Sequence, residues 1–386
     1  MEPKFSNSDI HYNKEFDDVD EDGVLVINAA NRKIAKFPEF LPTWDPREKY
    51  PPLKFHKYQD RGSLADPAFP NLFPKGGDFT VRKITPKFGT EVSGVQLSQL
   101  NDAGKDELAL LLAQRKVLLF NDQDFASKGP EFAVEFGKYF GPLHIHPSSG
   151  SPKGHPELHI TYRRPEKGEL GRIFNERVTN TSWHSDISYE LTPSKFTVFQ
   201  VLESGDGGDT VFADTQEAYR RLSPRMQKML EGLHVLHTSE DQAFNSSIQG
   251  GIQRRKPVSN IHPLIRLDPV TKEKSIFVNR GFGRRIVELK KEESEYLLNF
   301  LNDLIEKSHD LQLRVNWEGG VKNKVALFHN SGVQHTASFD TVEGDVRHAF
   351  RISVLAERPI EKIEDLNKED YSPGDLEQAF ASLKAE

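Results

Sequence analysis

The feature that most constrains the fold of this chain is a long succession of short segments in which β-branched and aromatic residues recur at period two. From Asp78 onward, DFTVRKITP and KVLLFNDQ read as strands, with DELALLLAQ between them as a helix. The runs ELHITYR, KFTVFQVLE, DTVFAD, LHVLHT, IHPLIRL, KSIFVN, LQLRVNW, KVALFHN and HAFRISVLAE follow. So many strands with so few helices exclude a doubly wound α/β fold, which needs a crossover helix between parallel neighbours. Two later helices are predicted. DTQEAYRRLSPRMQKML opens at Asp214 with a D-x-x-E pattern through Glu217, and EESEYLLNFLNDLIEK places Leu297, Leu301 and Leu304 on one face. The architecture expected is mainly β with flanking helices: an antiparallel double-sheet jelly roll, or double-stranded β-helix.

That domain is expected over residues 78–360. Residues 1–77 are acidic and rich in proline, so they read as a polar arm with little regular structure. The aromatics Phe37, Phe40, Trp44, Tyr50, Phe55, Tyr58, Phe69 and Phe73 predict that its later part packs on the domain. Residues 361–386 read as a C-terminal surface segment, with KEDYSPGDLEQAFASLKAE forming a short helix. No stretch approaches the roughly 20 apolar residues of a membrane span, and the first residues lack a basic region followed by an apolar run. The expectation is a soluble, cytoplasmic protein with no membrane partner. Homo-oligomerisation is left open.

Composition narrows the chemistry. There are no cysteines, so a thiol nucleophile, a zinc ribbon and an iron–sulfur cluster are all excluded, and a metal must rest on imidazole and carboxylate. The formal charge of −7 argues against nucleic-acid binding. Within Trp183-His184-Ser185-Asp186 a strand would project His184 and Asp186 to one face, which is half of a metal site. The other histidine must come from afar, and KVALFHNSGVQHTASFD offers both His329 and His335. Two imidazoles and one carboxylate leave adjacent positions open, the ligand set of a non-haem iron(II) oxygenase. Arg347 and Arg351 are four apart in the last strand and share a face, roughly 13 Å apart, able to hold two separate anions. Gly205-Asp206-Gly207-Gly208-Asp209-Thr210 reads as a tight hairpin loop with Thr210 opening the next strand.

The order HIHP (His144 to Pro147), WHSD (Trp183 to Asp186), GGDT (Gly207 to Thr210), FVNRGFGRRIV (Phe277 to Val287), QH (Gln334, His335) and RHAFR (Arg347 to Arg351) resembles the taurine dioxygenase family of Fe(II)/2-oxoglutarate-dependent oxygenases. The resemblance spans about Phe79 to Leu355. It implies a jelly roll with iron held by His184, Asp186 and His335. It also implies O2 and 2-oxoglutarate as cosubstrates, the distal carboxylate of the keto acid meeting Arg347 and Thr210. His146, Asn180, the backbone N–H of Ile187 and Arg351 match positions that bind a sulfonate, and Phe282 an aromatic wall beside it. The chain departs from the family before QH, reading His329-Asn330-Ser331-Gly332 in place of a D-N-R-like run.

The activity implied is hydroxylation of an alkyl sulfonate such as taurine at the carbon bearing sulfur, releasing sulfite and an aldehyde. Its partner is then a small anionic organic substrate. Two alternatives accompany that reading: the same chemistry on an alkyl sulfate ester or another small organic acid, and a non-catalytic jelly-roll module with a structural metal.

Overall fold

The computed structural model describes residue 12 and residues 17–163, 182–248, 251–317, 323–342 and 344–374. A seven-stranded sheet runs in the order Thr80–Lys83, Thr90–Ser93, Val117–Phe120, Val325–His329, Ser194–Glu203, Arg347–Leu355, His159–Arg163. Neighbours are antiparallel except Thr90–Ser93 beside Val117–Phe120. Its outer face carries Leu118, Phe120, Val198, Val325, Leu327, Phe350, Ile352 and Val354 in one buried cluster with residues of the helices Asp102–Arg115 and Gly129–Lys138. Its inner face carries the alternate residues Val117, Leu119, Val201, Ala326, Phe328 and Ala349. These pack on Phe212, Leu313, Val315 and Val333 of a second, three-stranded antiparallel sheet, ordered Gln312–Val315, Thr210–Asp214, Val333–Ala337. Period-two alternation therefore divides each strand between two cores, and the expected jelly roll is the fold observed.

The structure corrects several local expectations. The 205–210 loop is no hairpin, because it carries the chain from Ser194–Glu203 in the large sheet to Thr210–Asp214 in the small one. The predicted single helix after Asp214 is two, Thr215–Arg221 and Pro224–Leu230. Pro224 lacks an N–H and disfavours helical backbone at Ser223, so the chain restarts there, with the Ser223 hydroxyl accepting from the Met226 N–H at 3.3 Å. IHPLIRL splits into Ser259–Pro263 and Ile265–Leu267, and Thr90–Ser93 and Gly283–Ile286 are strands that periodicity did not mark. His335 lies on a strand of its own, Val333–Ala337. The helix expected near the C-terminus falls largely outside the described residues.

Between residues 17 and 77 the regular elements are short: a sheet of three two-residue strands, the helix Ala29–Ile34 and single 3-10 turns. Phe40 is fully buried and stacks on Phe350 with centroids 5.0 Å apart, and Trp44 is buried in the same outer cluster. Among the described residues no helix is long and apolar enough to cross a membrane.

The Phe40 carbonyl lies 3.0 Å from His348 Nε2. Burial pushes His348 down to about 4 despite that contact, and pushes His237 down to about 3 despite a hydrogen bond with the Phe277 backbone. Unfolded, both titrate near 6.5, so below that value the unfolded chain binds more protons than the folded one. Stability should accordingly fall as pH drops from about 6.5 toward 4, by about 1.4 kcal/mol per pH unit for each histidine still neutral in the fold. Urea unfolding of the metal-free protein at pH 7.5 and 5.5 checks this, and equal midpoints would contradict it.

Candidate metal centre and its pocket

The segment holding His184 and Asp186 leaves the small sheet almost at once. His184 forms an isolated antiparallel bridge with His335, their N–H groups donating to each other's carbonyls at 3.1 and 2.9 Å. The chain then turns, with Ile187 at φ +47°. Asn330 causes the departure: its Oδ1 accepts from the Asp186 N–H at 2.8 Å and its Nδ2 donates to the Asp186 carbonyl at 2.9 Å. Both backbone groups of Asp186 are thus captured by one side chain, which also donates to the Ser194 carbonyl at 3.1 Å. The strand premise behind the His-x-Asp reading does not hold, yet the turn still brings the carboxylate beside the imidazole.

Ligand atoms of His184, Asp186 and His335 all lie within 4.8 Å of one another, the one such group of histidines and carboxylates among the described residues. His184 Nε2 and His335 Nε2 stand 3.5 and 3.7 Å from Asp186 Oδ1, with the two rings 4.3 Å apart. The Nδ1–H of His184 donates to the Ser182 carbonyl at 2.8 Å, which leaves the Nε2 lone pair facing the centre. Burial pushes His335 down to about 3, so it offers a neutral imidazole. For Asp186 burial acts upward, but the Arg351 guanidinium and the two imidazoles outweigh it and hold the carboxyl well below the usual carboxylate range. Its Oδ2 is buried without a hydrogen-bond partner. Two imidazoles, an ionised carboxylate and an unsatisfied buried oxygen fit a divalent cation.

Strand parity separates the two candidate histidines. In Val325–His329 the residues Ala326 and Phe328 face inward, so His329 shares the outward face with Val325 and Leu327. Its Nε2 lies 3.1 Å from Asp268 Oδ2, in a buried network where Lys195 is 2.9 Å from the same oxygen. His329 is therefore a partner of Asp268, and the residue before it, Phe328, packs 5.1 Å from the His335 ring.

A cavity of about 290 Å³ opens beside this centre. Thr210, Arg347, Arg351, His146, Ile187 and Phe282 all line it. Arg347 and Arg351 flank inward-facing Ala349 at alternate positions, so both point into the cavity as their spacing predicted. Thr210 Oγ1 accepts from the Trp317 indole N–H at 3.2 Å. Gly208, at φ +68°, lies against Arg347, and a Cβ there would stand 2.5 Å from Nη1. If Arg347 holds 2-oxoglutarate, as the family resemblance implies, Gly208→Ala, which should displace that guanidinium, raises the 2-oxoglutarate KM, by up to about 100-fold for a misplacement of about 1 Å. A steady-state titration of 2-oxoglutarate reads the effect.

Arg351 Nη1 donates to Asp186 Oδ1 at 2.6 Å, and its Nη2 lies 3.3 Å from His159 Nδ1. His159 sits opposite Arg351 in the antiparallel register of His159–Arg163 with the last strand. Nothing local in ELHITYR marked it, because only the pairing register puts it there. His146 Nδ1 accepts from Ser149 Oγ at 2.8 Å and from the Ser149 and Ser148 N–H groups at 3.0 and 3.3 Å. Burial holds it neutral and well below its ordinary value, so Nε2 carries the proton as a neutral donor. The Phe282 ring centroid lies 6.2 Å from that of His184, and the Phe282 N–H donates to Asn279 Oδ1 at 2.9 Å. Asn180 lies outside the described residues. Sequence reasoning missed one wall altogether: the helix Glu240–Ile248, contributing Asp241, Gln242 and Asn245, and the arginines Arg280 and Arg284 beside Phe282.

A jelly roll that sets two histidines and an aspartate beside an arginine-lined cavity has the ligand set of a metal-dependent oxygenase. Residues 80–353 match the family described as taurine catabolism dioxygenase TauD, TfdA family, and the chain belongs to that family. It is 52% identical over 375 residues to an alpha-ketoglutarate-dependent sulfonate dioxygenase of Saccharomyces cerevisiae, covering 96% of this chain and 90% of the relative. It is 39% identical over 330 residues to the alpha-ketoglutarate-dependent dioxygenase cnsM of Penicillium expansum, covering 84% and 90% of the two chains. The solved structure of a taurine dioxygenase from Burkholderia xenovorans shares the fold, with a TM-score of 0.58 at 23% identity over 73% of this chain and 93% of that one.

Proposed function

We propose that this protein is an Fe(II)- and 2-oxoglutarate-dependent dioxygenase that hydroxylates an alkyl sulfonate, taurine among them, at the carbon bearing sulfur. The observation that carries the reading is the anion seat beside the metal centre: Arg351 at 2.6 Å from Asp186, with the neutral His146 ring in the same cavity. A sulfonate is a permanent anion with three acceptor oxygens, which suits a guanidinium fork together with neutral donors. The S. cerevisiae relative, a sulfonate dioxygenase by name, supports the same substrate class.

His184, Asp186 and His335 would hold the metal. Two imidazoles and one carboxylate leave adjacent positions open, which favours ferrous iron over a closed tetrahedral zinc site. Bound there, iron supplies the oxidation of the substrate C–H bond, coupled to decarboxylation of 2-oxoglutarate to succinate and CO2. The chain's own residues bind and orient. Arg347 and Thr210 hold the distal carboxylate of 2-oxoglutarate. Arg351, the His146 Nε2–H and the Ile187 N–H hold the sulfonate, while Phe282 walls the pocket and excludes water. With the anion fixed, the neighbouring carbon is the one presented for attack. In the hydroxylated product the hydroxyl proton leaves, the carbonyl forms, and the C–S bond breaks with its electron pair departing in sulfite. The arm would span residues 1–77, the catalytic domain 78–360 and the C-terminal segment 361–386.

Sulfite and succinate assayed together test the reading. With taurine or simple alkanesulfonates the two should form in equal amounts. Arg351→Ala should raise the sulfonate KM and lower the yield of sulfite per succinate. Coupled turnover on an alkyl sulfate or carboxylate, with no sulfite from any sulfonate, would overturn it.

A further inference from the structure

Resting on that sulfonate reading, we propose that the N-terminal arm is part of the active site, with Glu48 and Arg254 as positioning residues that hold His146 in the sulfonate seat. The family match begins at residue 80, so the family assignment gives the arm no task. Its contacts supply one.

His146 belongs to residues 144–151, a segment held between the arm and the large sheet. Thr43 and Ser151 form an isolated antiparallel bridge, their N–H groups donating to each other's carbonyls at 2.8 and 3.2 Å. On the sheet side the Ile160 N–H donates to the Gly150 carbonyl at 3.1 Å. Pro42 and Trp44 of the arm press so closely on Gly150 that a Cβ there would stand 2.6 and 2.7 Å from them. The segment therefore has little room to shift while the arm is in place.

Arg254 joins the arm to the imidazole. It is buried, and among the described residues its one carboxylate partner is Glu48, whose Oε2 accepts from Nη1 at 3.0 Å. The same Nη1 donates to Ser151 Oγ at 3.1 Å, and Nη2 donates to the Ser149 carbonyl. The backbone repeats the connection: the Arg254 carbonyl accepts from the Tyr50 N–H at 2.8 Å, and its N–H donates to the Pro147 carbonyl at 2.7 Å. Ser149 in turn supplies the N–H and the hydroxyl that hold His146 Nδ1, which leaves the proton on Nε2. Glu48 thus reaches His146 through Arg254 and Ser149, and every link is a hydrogen bond that fixes direction as well as distance. A loosened arm lets Ser149 move, and the Nε2–H donor loses its aim at the sulfonate. Neither Arg347 nor Thr210 belongs to this chain of contacts, so 2-oxoglutarate binding should not sense it.

The test is anaerobic calorimetric titration of taurine into enzyme loaded with iron(II) and 2-oxoglutarate, with the 2-oxoglutarate Kd measured alongside. Glu48→Ala should raise the taurine Kd by roughly 3–10-fold, below the roughly 100-fold that a misplacement of about 1 Å can cost, and leave the 2-oxoglutarate Kd unchanged. Glu48→Gln, which keeps an acceptor for Arg254 and so preserves the fold, should shift the taurine Kd the same way by less. His146→Ala should itself weaken taurine, and adding Glu48→Ala to it should bring no further loss, because residues acting through one contact are not additive. Arg61→Gln is the control. Arg61 fastens the arm elsewhere, its Nε donating to Asp106 Oδ1 at 2.7 Å, so this variant should lower the urea midpoint and leave the taurine Kd alone. Additive losses in the double variant, a wild-type taurine Kd in Glu48→Ala, or an equal rise in Arg61→Gln overturns the role of Glu48 and Arg254 while the sulfonate reading stands. Absence of sulfite from taurine and from simple alkanesulfonates with the wild-type enzyme overturns the two together.

Discussion

Asp186→Ala should abolish turnover and metal binding together. The carboxylate is the only anionic member of the cluster, and one oxygen meets both imidazoles and the Arg351 guanidinium within 3.7 Å. Loss of an outer hydrogen-bond partner already costs roughly 10–100-fold in metal affinity, and loss of the charged ligand itself should exceed that. The apo protein should suffer as well, because Arg351 is left without its nearest counter-charge, a change that costs about 3–5 kcal/mol at buried pairs. Asn330→Ala should reproduce the smaller effect, an affinity loss of roughly 10–100-fold, since Asn330 only holds the backbone of the ligand. His329→Ala should lower stability by breaking its pair with Asp268 while leaving the metal centre in place. Anaerobic iron(II) titration and urea unfolding of the wild type and these three variants separate the outcomes. An Asp186→Ala protein that binds iron and turns over, beside a His329→Ala protein that does neither, would refute the ligand set.

Arg347→Ala should weaken 2-oxoglutarate specifically. Removing one partner of a buried charged pair costs about 2–5 kcal/mol, chiefly because the other charge stays buried and unpaired. That range corresponds to roughly one and a half to four decades in affinity. The contrast with Arg351 gives the experiment its force. The two arginines stand four residues apart on one strand face, yet Arg351 meets Asp186 and Arg347 lies against Gly208 near the start of the Thr210–Asp214 strand. Their variants should therefore divide, with the larger KM change falling on 2-oxoglutarate for Arg347→Ala and on the sulfonate for Arg351→Ala. Normal 2-oxoglutarate saturation in Arg347→Ala would sink the assignment.

Much of this site was legible before any coordinates because it is built on strands, and a strand declares its faces by alternation. Arg347 and Arg351 share a face for that reason alone, and the same rule, applied to Ala326 and Phe328, would have set His329 on the far side of the sheet from His335. Other features gave no local signal. The turn at Asp186 depends on Asn330, 144 positions later, whose amide captures both backbone groups. The helix after Asp214 needed attention to Pro224, where a missing N–H outweighs an otherwise continuous apolar pattern. The acidic wall residue Asp241 carried no motif, because the helix Glu240–Ile248 and its pairing with Arg284 on the strand Gly283–Ile286 are what set it at the cavity.

The sequence by itself determined the fold class, the absence of thiol chemistry and the small set of histidines, carboxylates and arginines from which a centre could be assembled. Those follow from composition and from period-two patterning, which each segment carries within itself. Only the tertiary structure decided that His335 and not His329 joins His184 and Asp186, that His159 faces Arg351, and that Asp241 borders the same cavity. These depend on register and on which sheet a strand joins. Both are fixed by pairing between residues far apart in the chain, where no periodicity of either segment records the other.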